Sequence, residues 1–155
     1  FQKKLCVDKN KIFTVYVGAE DSLFNNIPSQ NNTRKKFEIL FYGSFLPLHG
    51  SEIIIKAAKF FGKNNDIRWT MLGAGPDLPK CKELAKDCSN IFFEEKIEFT
   101  KLSSRIKKAD LLLGIFGNSN KARNVIPNKV FQSLASGKTV ITRKSNAYPK
   151  KLLNH

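Results

Sequence analysis

Short continuous apolar runs alternate with amphipathic segments along this chain. The runs lie at residues 37–42, 67–72, 91–93, 111–116 and 139–142. They lack the period-two alternation of a half-exposed strand, which favours parallel strands covered on both faces. Four predicted helices separate them, at residues 51–61, 77–88, 100–108 and 128–136. This alternation predicts an α/β fold, a Rossmann-like three-layer sandwich with a mainly parallel sheet and right-handed crossovers. We also predict a short strand at 11–17 and a polar loop at 25–36.

The segment 110–142 carries most of the predicted chemistry. A strand, a basic loop, a helix start and a second strand follow one another there, and ligands of parallel sheets bind beyond the carboxyl ends of the strands. Pro127 suits the first helical turn and Asn128 can cap neighbouring amides, so this helix start should attract an anion. Three cations add charge: Lys121, Arg123 and Lys129. We therefore predict a phosphate or diphosphate site.

The helix at 128–136 should bury one face against the sheet. Its apolar residues are Val130, Phe131, Leu134 and Ala135. The pattern would leave Lys129, Gln132 and Ser133 facing the loop or solvent, where Gln132 could reach a hydroxyl-bearing ligand.

Several motifs along the chain, and their order, resemble the donor-binding half of a family 4 retaining glycosyltransferase (glycosyl transferases group 1) of the two-domain GT-B architecture. The motif that leads into the last predicted strand is Ala-Ser-Gly-Lys-Thr-Val-Ile at 135–141. The other matching segments lie at 39–45, 48–50, 69–76, 90–93 and 109–111. The resemblance covers roughly residues 12 to 148.

The resemblance implies a UDP- or GDP-sugar donor, transferred with retention to a glycan or lipid-linked acceptor in polysaccharide biosynthesis. It implies neither a cofactor nor a metal. We expect residues 1–155 to form a single Rossmann-like donor-binding domain, a fragment of a larger two-domain enzyme that is inactive alone. The missing N-terminal domain would supply the acceptor site. A cytoplasmic location is expected, with or without peripheral association at the inner face of the membrane.

The resemblance also assigns site residues. Two glutamates of the common family pattern contact the transferred sugar and the ribose; here those positions are Asn124 and Gln132. Asn124 and Lys129 are the catalytic candidates, and Gln132 is assigned to the ribose. The backbone near Ile97 is expected to contact the base. Lys121, Arg123 and Lys129 are assigned to the phosphates.

The glycine loop after the first buried strand is the second part of the expected site. Amides at Gly43, Ser44 and Asn128 are assigned to phosphate or sugar oxygens, and Gly50 opens the next helix. Common relatives carry an Arg and a Lys where this chain has Ser44 and His49. Lys121 and Arg123 would replace the two lost charges, and His49 is either a phosphate donor or a packing residue at the helix entry.

Two other functions stay open. The uncharged Asn124 and Gln132 suit a nucleotide- or sugar-binding module without catalysis. The net charge of +14 suits a nucleic-acid-binding domain, although the lysines are spread along the chain and no known nucleic-acid motif is present. A solvated Lys-rich surface is the simpler explanation of the charge.

Other sequence patterns exclude several classes of protein. Three cysteines without a Cys-x-x-Cys pair argue against a disulfide framework and a zinc site, and Cys81 and Cys88 fall on one helical stripe as core thiols. No His-Glu-x-x-His, Asp-x-Asp or membrane-length apolar stretch occurs. The Gly-Ala-Gly-Pro loop at 73–76 lacks the third glycine of a dinucleotide site and is either a donor loop or a simple strand-to-helix turn.

Overall fold

A five-stranded parallel sheet forms the centre of the fold. The computed structural model describes residues 7–24, 36–62 and 66–149. The strands are β1 (Phe37–Gly43), β2 (Ile67–Gly73), β3 (Ile91–Glu94), β4 (Leu111–Leu113) and β5 (Thr139–Ile141). They lie in the order β3-β2-β1-β4-β5, and every pairing is parallel. The predicted Rossmann-like α/β fold is confirmed.

Six α-helices accompany the sheet in the described part of the chain. They are α1 (Asp21–Phe24), α2 (Ser51–Phe60), α3 (Leu78–Leu84), α4 (Phe99–Lys107), α5 (Asn120–Arg123) and α6 (Asn128–Ala135). Short 3₁₀ turns lie at Lys9–Lys11 and Pro47–His49. Helices α2, α3, α4 and α6 connect successive strands, as the alternating pattern predicted.

Both faces of the three central strands, β2, β1 and β4, are buried, which explains their continuous apolar runs, whereas Ile141 of the edge strand β5 is 50% exposed. On one face Ile39 and Phe41 of β1 pack with α2 and α3 in a core that contains Ile54 and Cys81. On the other face Leu40 and Tyr42 of β1 pack with α4 and α1, in a core that contains Ile106 and Phe24. Consecutive residues of β1 therefore serve opposite cores. Cys81 is buried, which confirms its assignment to the core, whereas Cys88 lies beyond the end of α3 and is only half-buried.

Three predictions of local structure need correction. Residues 12–19 form no strand, and their backbone makes no hydrogen bond to any described residue; without a neighbouring strand a β-prone run stays unpaired. The helix predicted at 77–88 ends at Leu84, because Ala85 to Cys88 form turns. The basic loop after β4 contains the short helix α5. The predicted loop at 25–36 and Cys6 lie almost entirely outside the described residues.

A close backbone contact aligns the carboxyl ends of β1 and β2. Gly43 and Gly73 are register partners, and Gly73 has a φ of 134°. A Cβ at Gly73 would lie 2.0 Å from the Gly43 carbonyl oxygen. Only glycine permits this approach, which places the loops after both strands side by side.

Replacing Gly73 with alanine should therefore destabilise the fold. We expect Gly73→Ala to lower the free energy of unfolding by about 1–3 kcal/mol, because the new Cβ meets backbone and the φ is unfavourable. Gly18→Ala is the control, since a Cβ there would meet no atom within 4 Å. Denaturant unfolding of both variants gives the comparison. Equal stability of Gly73→Ala and Gly18→Ala would contradict the contact.

Candidate functional site

The chain direction of the crossovers locates the candidate site. From β1 the next strand along the chain, β2, lies on one side, whereas β4 lies on the other side of β1. In open parallel sheets ligands bind at such a switch point, beyond the carboxyl ends of the two strands. Here those ends are Gly43 and Leu113.

The Lys129 side chain ends at this point, against the last residues of β1. It is only 7% exposed. Its Nζ donates to the Tyr42 carbonyl at 2.6 Å and lies 4.2 Å from the centroid of the Phe41 ring. No carboxylate of the described residues forms an ion pair with it. Burial lowers the pKa of Lys129 to about 7, because a desolvated ammonium is disfavoured.

His49 lies beside Lys129, at the end of the 3₁₀ turn. The imidazole is buried and packs edge-on against Phe41, with ring centroids 5.6 Å apart. Burial and, to a smaller extent, the charge of Lys129 lower the pKa of His49 to about 4. His49 is therefore neutral at pH 7. Its Nδ1 accepts a long hydrogen bond from the Leu46 amide, 3.4 Å, which leaves Nε2–H as a donor.

Gly43 provides the space in which these two side chains meet. A Cβ at Gly43 would lie 2.9 Å from the Lys129 Nζ and 3.0 Å from the His49 Cε1. Three predicted site residues are thus in one place. We call Gly43, His49 and Lys129 the Lys129 cluster.

Gly50 supports the cluster through packing. Its φ is 61°, and a Cβ there would lie 2.6 Å from the Gly117 amide nitrogen. The amides of Phe116 and Gly117 donate to the carbonyls of His49 and Leu48, which ties the turn to the loop after β4. The Gly50 amide itself donates to Pro47. A contact of Gly50 with a ligand stays a prediction.

Helix α6 presents a different face to the sheet from the one predicted. Lys129, Val130 and Ser133 are its buried residues, whereas Leu134 is 43% exposed. The prediction that Lys129 and Ser133 face the loop or solvent is therefore wrong, since both side chains are buried. The helix starts at the carboxyl edge of β1, so its first turn meets backbone carbonyls and the Tyr42 hydroxyl, which accommodate polar side chains.

Gln132 is held by a residue that the sequence analysis did not select. The Tyr42 hydroxyl lies 3.0 Å from Gln132 Oε1 and 3.2 Å from the Lys129 carbonyl oxygen. The Ser133 hydroxyl also donates to that carbonyl. Burial raises the pKa of Tyr42 far above its ordinary value, opposed in part by a hydrogen bond with Ser133, so the hydroxyl keeps its proton. The only sequence signal for Tyr42 is a polar group at the end of an apolar strand, directly before a glycine.

The remaining predicted residues surround the cluster without a hydrogen bond or ion pair to it. Helix α5 packs against the 3₁₀ turn of His49 and exposes Lys121 and Arg123. Asn124 is exposed at the end of α5, where its Nδ2 donates to the Asn120 carbonyl at 2.8 Å. A catalytic role of Asn124 stays a prediction.

The side chains of Ser44, Asn128 and Ile97 form no hydrogen bond or ion pair with the Lys129 cluster, although Ser44 and Asn128 directly adjoin Gly43 and Lys129 in the sequence. Ser44 is exposed after β1, and Ile97 packs at the edge of the core next to α4. Asn128 is the first residue of α6; Pro127 occupies the N-cap position and no side chain caps the helix. The predicted capping by Asn128 is therefore wrong, although its exposed position leaves a ligand contact open.

The described residues contain neither a metal-binding group nor a membrane-spanning helix. No group of three or more His, Cys, Asp or Glu residues there is arranged to hold a metal ion. None of the helices in the described ranges is long and apolar enough to cross a membrane.

Several solved structures share this fold. The C-terminal domain of the glycosyl transferase group 1 family protein LpcC from Francisella tularensis is 20% identical, with a TM-score of 0.68, over 88% of this chain and 76% of that domain. The pneumococcal O-GlcNAc transferase GtfA, in complex with UDP and GlcNAc, is 18% identical with a TM-score of 0.69. The chain has the fold of a GT-B C-terminal domain. No family model and no curated protein matches the sequence.

Most of these structural neighbours are much longer than the present chain. The match covers 91% of this chain but 26% of GtfA. A variant of S. aureus TarM, in complex with UDP, matches over 99% of this chain and 29% of its own, at 12% identity and a TM-score of 0.70. The chain thus corresponds to less than a third of either enzyme.

The buried ammonium makes stability depend on pH in a defined window. The unfolded chain holds the Lys129 proton up to about pH 10.5, whereas the folded chain loses it near pH 7. The unfolded state therefore binds more protons between these values, so stability rises with pH across the window and the gain is lost as pH falls to 7. We expect a rise of about 3 kcal/mol between pH 7 and 10 that Lys129→Met lacks.

Denaturant unfolding of both proteins across this pH range provides the measurement. Because other groups titrate in both proteins, only the difference between the two curves counts. Parallel curves would show that the Lys129 ammonium is not buried as described.

Proposed function

We propose that this chain is the donor-binding domain of a glycosyltransferase and binds a nucleotide-diphosphate sugar at the Lys129 cluster. The observation that supports the proposal most strongly is the buried Lys129 ammonium at the switch point of the sheet. It is held by one carbonyl and the faces of two aromatic rings, those of Phe41 and Tyr42, without an acidic partner among the described residues. A diphosphate would supply the missing negative charge and raise the pKa of the lysine again.

The distribution of charge around the cluster supports an anionic ligand. No Asp or Glu follows Asp110 in the sequence, so the loop and helix after β4 contribute only positive and neutral groups. Exposed Lys121 and Arg123 lie on the helix that packs against the His49 turn. Their field would favour the approach of a nucleoside diphosphate. Several structural neighbours have UDP or a UDP-sugar bound, which agrees with this class of ligand.

The cluster suggests how the leaving group is stabilised. As the bond between sugar and diphosphate breaks, negative charge grows on the diphosphate oxygens. The Lys129 ammonium and the His49 Nε2–H would then bind these oxygens more strongly than in the ground state, which lowers the barrier. In this mechanism a protein cation, Lys129, and a neutral hydrogen-bond donor, His49, take the part that a metal ion plays elsewhere. Retention at the sugar carbon and a glycan or lipid-linked acceptor bound by a second domain belong to the same proposal.

A binding module without catalysis is the second candidate. Asn124, at the position of a catalytic glutamate in the resembled family, is exposed and its amide caps the local helix. Such a module would bind the donor and never release the nucleoside diphosphate from it. Release of UDP or GDP from a donor sugar, followed in the presence of a glycan or lipid-linked acceptor with the protein that contains this domain, separates the two candidates.

Calorimetric titration with UDP, GDP and ADP tests the donor site directly. We expect one of them to bind, and Lys129→Met to weaken its affinity about tenfold to a hundredfold, the effect of losing one charged hydrogen bond. Lys59→Met is the matched control. Lys59 is an exposed lysine in the last turn of α2, whereas the His49 turn precedes the first turn of that helix. Binding that survives Lys129→Met unchanged would place the nucleotide elsewhere. Absence of binding by all three nucleotides would reject the donor-binding function.

A further inference from the structure

Tyr42 connects the end of β1 to both proposed ligand contacts of α6. Its carbonyl oxygen accepts from the Lys129 Nζ at 2.6 Å. Its hydroxyl lies 3.0 Å from Gln132 Oε1 and 3.2 Å from the Lys129 carbonyl oxygen. The side chain is 6% exposed, so these contacts are shielded from water. One residue of the strand thus fixes two residues of the helix.

The hydroxyl is not needed to satisfy the helix backbone. The Lys129 carbonyl also accepts a hydrogen bond from the Ser133 hydroxyl, and a phenylalanine ring would fill the same space in the core. Gln132 Oε1 has no second partner among the described residues. The distinct effect of the Tyr42 hydroxyl is therefore on the orientation of the Gln132 amide. With Oε1 engaged, the NH₂ group of Gln132 remains as its donor.

We propose that Tyr42 is a positioning residue of the donor site: it holds the Gln132 amide with its NH₂ group available to a ribose oxygen and holds the Lys129 ammonium in place for the diphosphate. The inference rests on the proposed function. It also gives Gln132 a defined chemistry, that of a hydrogen-bond donor, where a glutamate would only accept. Fixing the side chain before the ligand arrives removes an ordering cost that would otherwise reduce affinity.

A double-mutant cycle tests this role. Binding of UDP, or of GDP or ADP if the wild type binds that nucleotide instead, is measured for Tyr42→Phe, Gln132→Ala and the double variant. We expect Tyr42→Phe to weaken binding about three- to tenfold, as the loss of one hydrogen bond does. In the Gln132→Ala background the same change should have little further effect, because the group that Tyr42 positions is gone.

Tyr148→Phe is the matched control. Tyr148 is also a buried tyrosine, and its hydroxyl lies 3.4 Å from the Thr142 hydroxyl oxygen. We expect this variant to bind the nucleotide like the wild type. Thermal unfolding of both tyrosine variants shows whether Tyr42→Phe loses more than a buried hydroxyl ordinarily contributes to stability.

The possible outcomes separate the two claims. Wild-type binding that Tyr42→Phe leaves unchanged, or weakens equally with and without Gln132, overturns the positioning role and leaves the donor site standing. A Tyr42→Phe protein that loses binding only because it unfolds is recognised by its melting curve, and it too overturns the role. No binding of any nucleotide by the wild type overturns both the function and this inference.

Discussion

Burial of one ammonium group, that of Lys129, is the constraint on which the site depends. An isolated charge in an apolar core is unfavourable, and here a single carbonyl and the faces of two aromatic rings compensate for the lost water. The neighbouring His49 is kept neutral by the same burial and by the same positive charge. Gly43 leaves room for both groups, because a Cβ there would lie 2.9 Å from the Lys129 Nζ and 3.0 Å from the His49 Cε1. The turn that follows β1 thus meets a lysine that lies 80 residues beyond His49 in the sequence.

The fold supports this arrangement through close backbone contacts. Gly43 pairs with Gly73 at the ends of β1 and β2, and Gly50 packs against the backbone of Gly117 after β4. These contacts hold three loops at the carboxyl edge of the sheet without long side chains between them. Ligands of open parallel sheets bind beyond such an edge, at the switch point.

The architecture could be predicted because strands buried on both faces leave continuous apolar runs in the sequence. Helices with one apolar face leave a periodic pattern of apolar residues. The five strands, the long helices and the parallel sheet follow from such patterns. The segment 11–17 was mistaken for a strand because its side chains favour one, whereas a strand also needs a neighbour to pair with. The helical pattern alone also predicts that Lys129 faces the loop or solvent. A lysine in an amphipathic helix is normally exposed, and only the tertiary position of α6, above polar backbone groups, reverses this.

Tyr42 illustrates the limit of reading a site from sequence. Nothing in an apolar strand marks its last tyrosine as a partner of a helix 87 residues later, because that contact exists only once β1 and α6 are adjacent. The basic loop, by contrast, could be selected from sequence, yet Lys121, Arg123 and Asn124 make no recorded bond to the Lys129 cluster. Charge predicts the kind of ligand, whereas geometry selects the residues that hold it.

The most direct test of this account is the pKa of Lys129 itself, measured by NMR on the Nζ and ε-CH₂ resonances with and without a saturating nucleoside diphosphate. The account predicts a value near 7 in the free protein, and a rise of about two units or more when the diphosphate lies against the ammonium. A free-protein pKa close to the ordinary 10.5, or a low value that the bound nucleotide leaves unchanged, would contradict it.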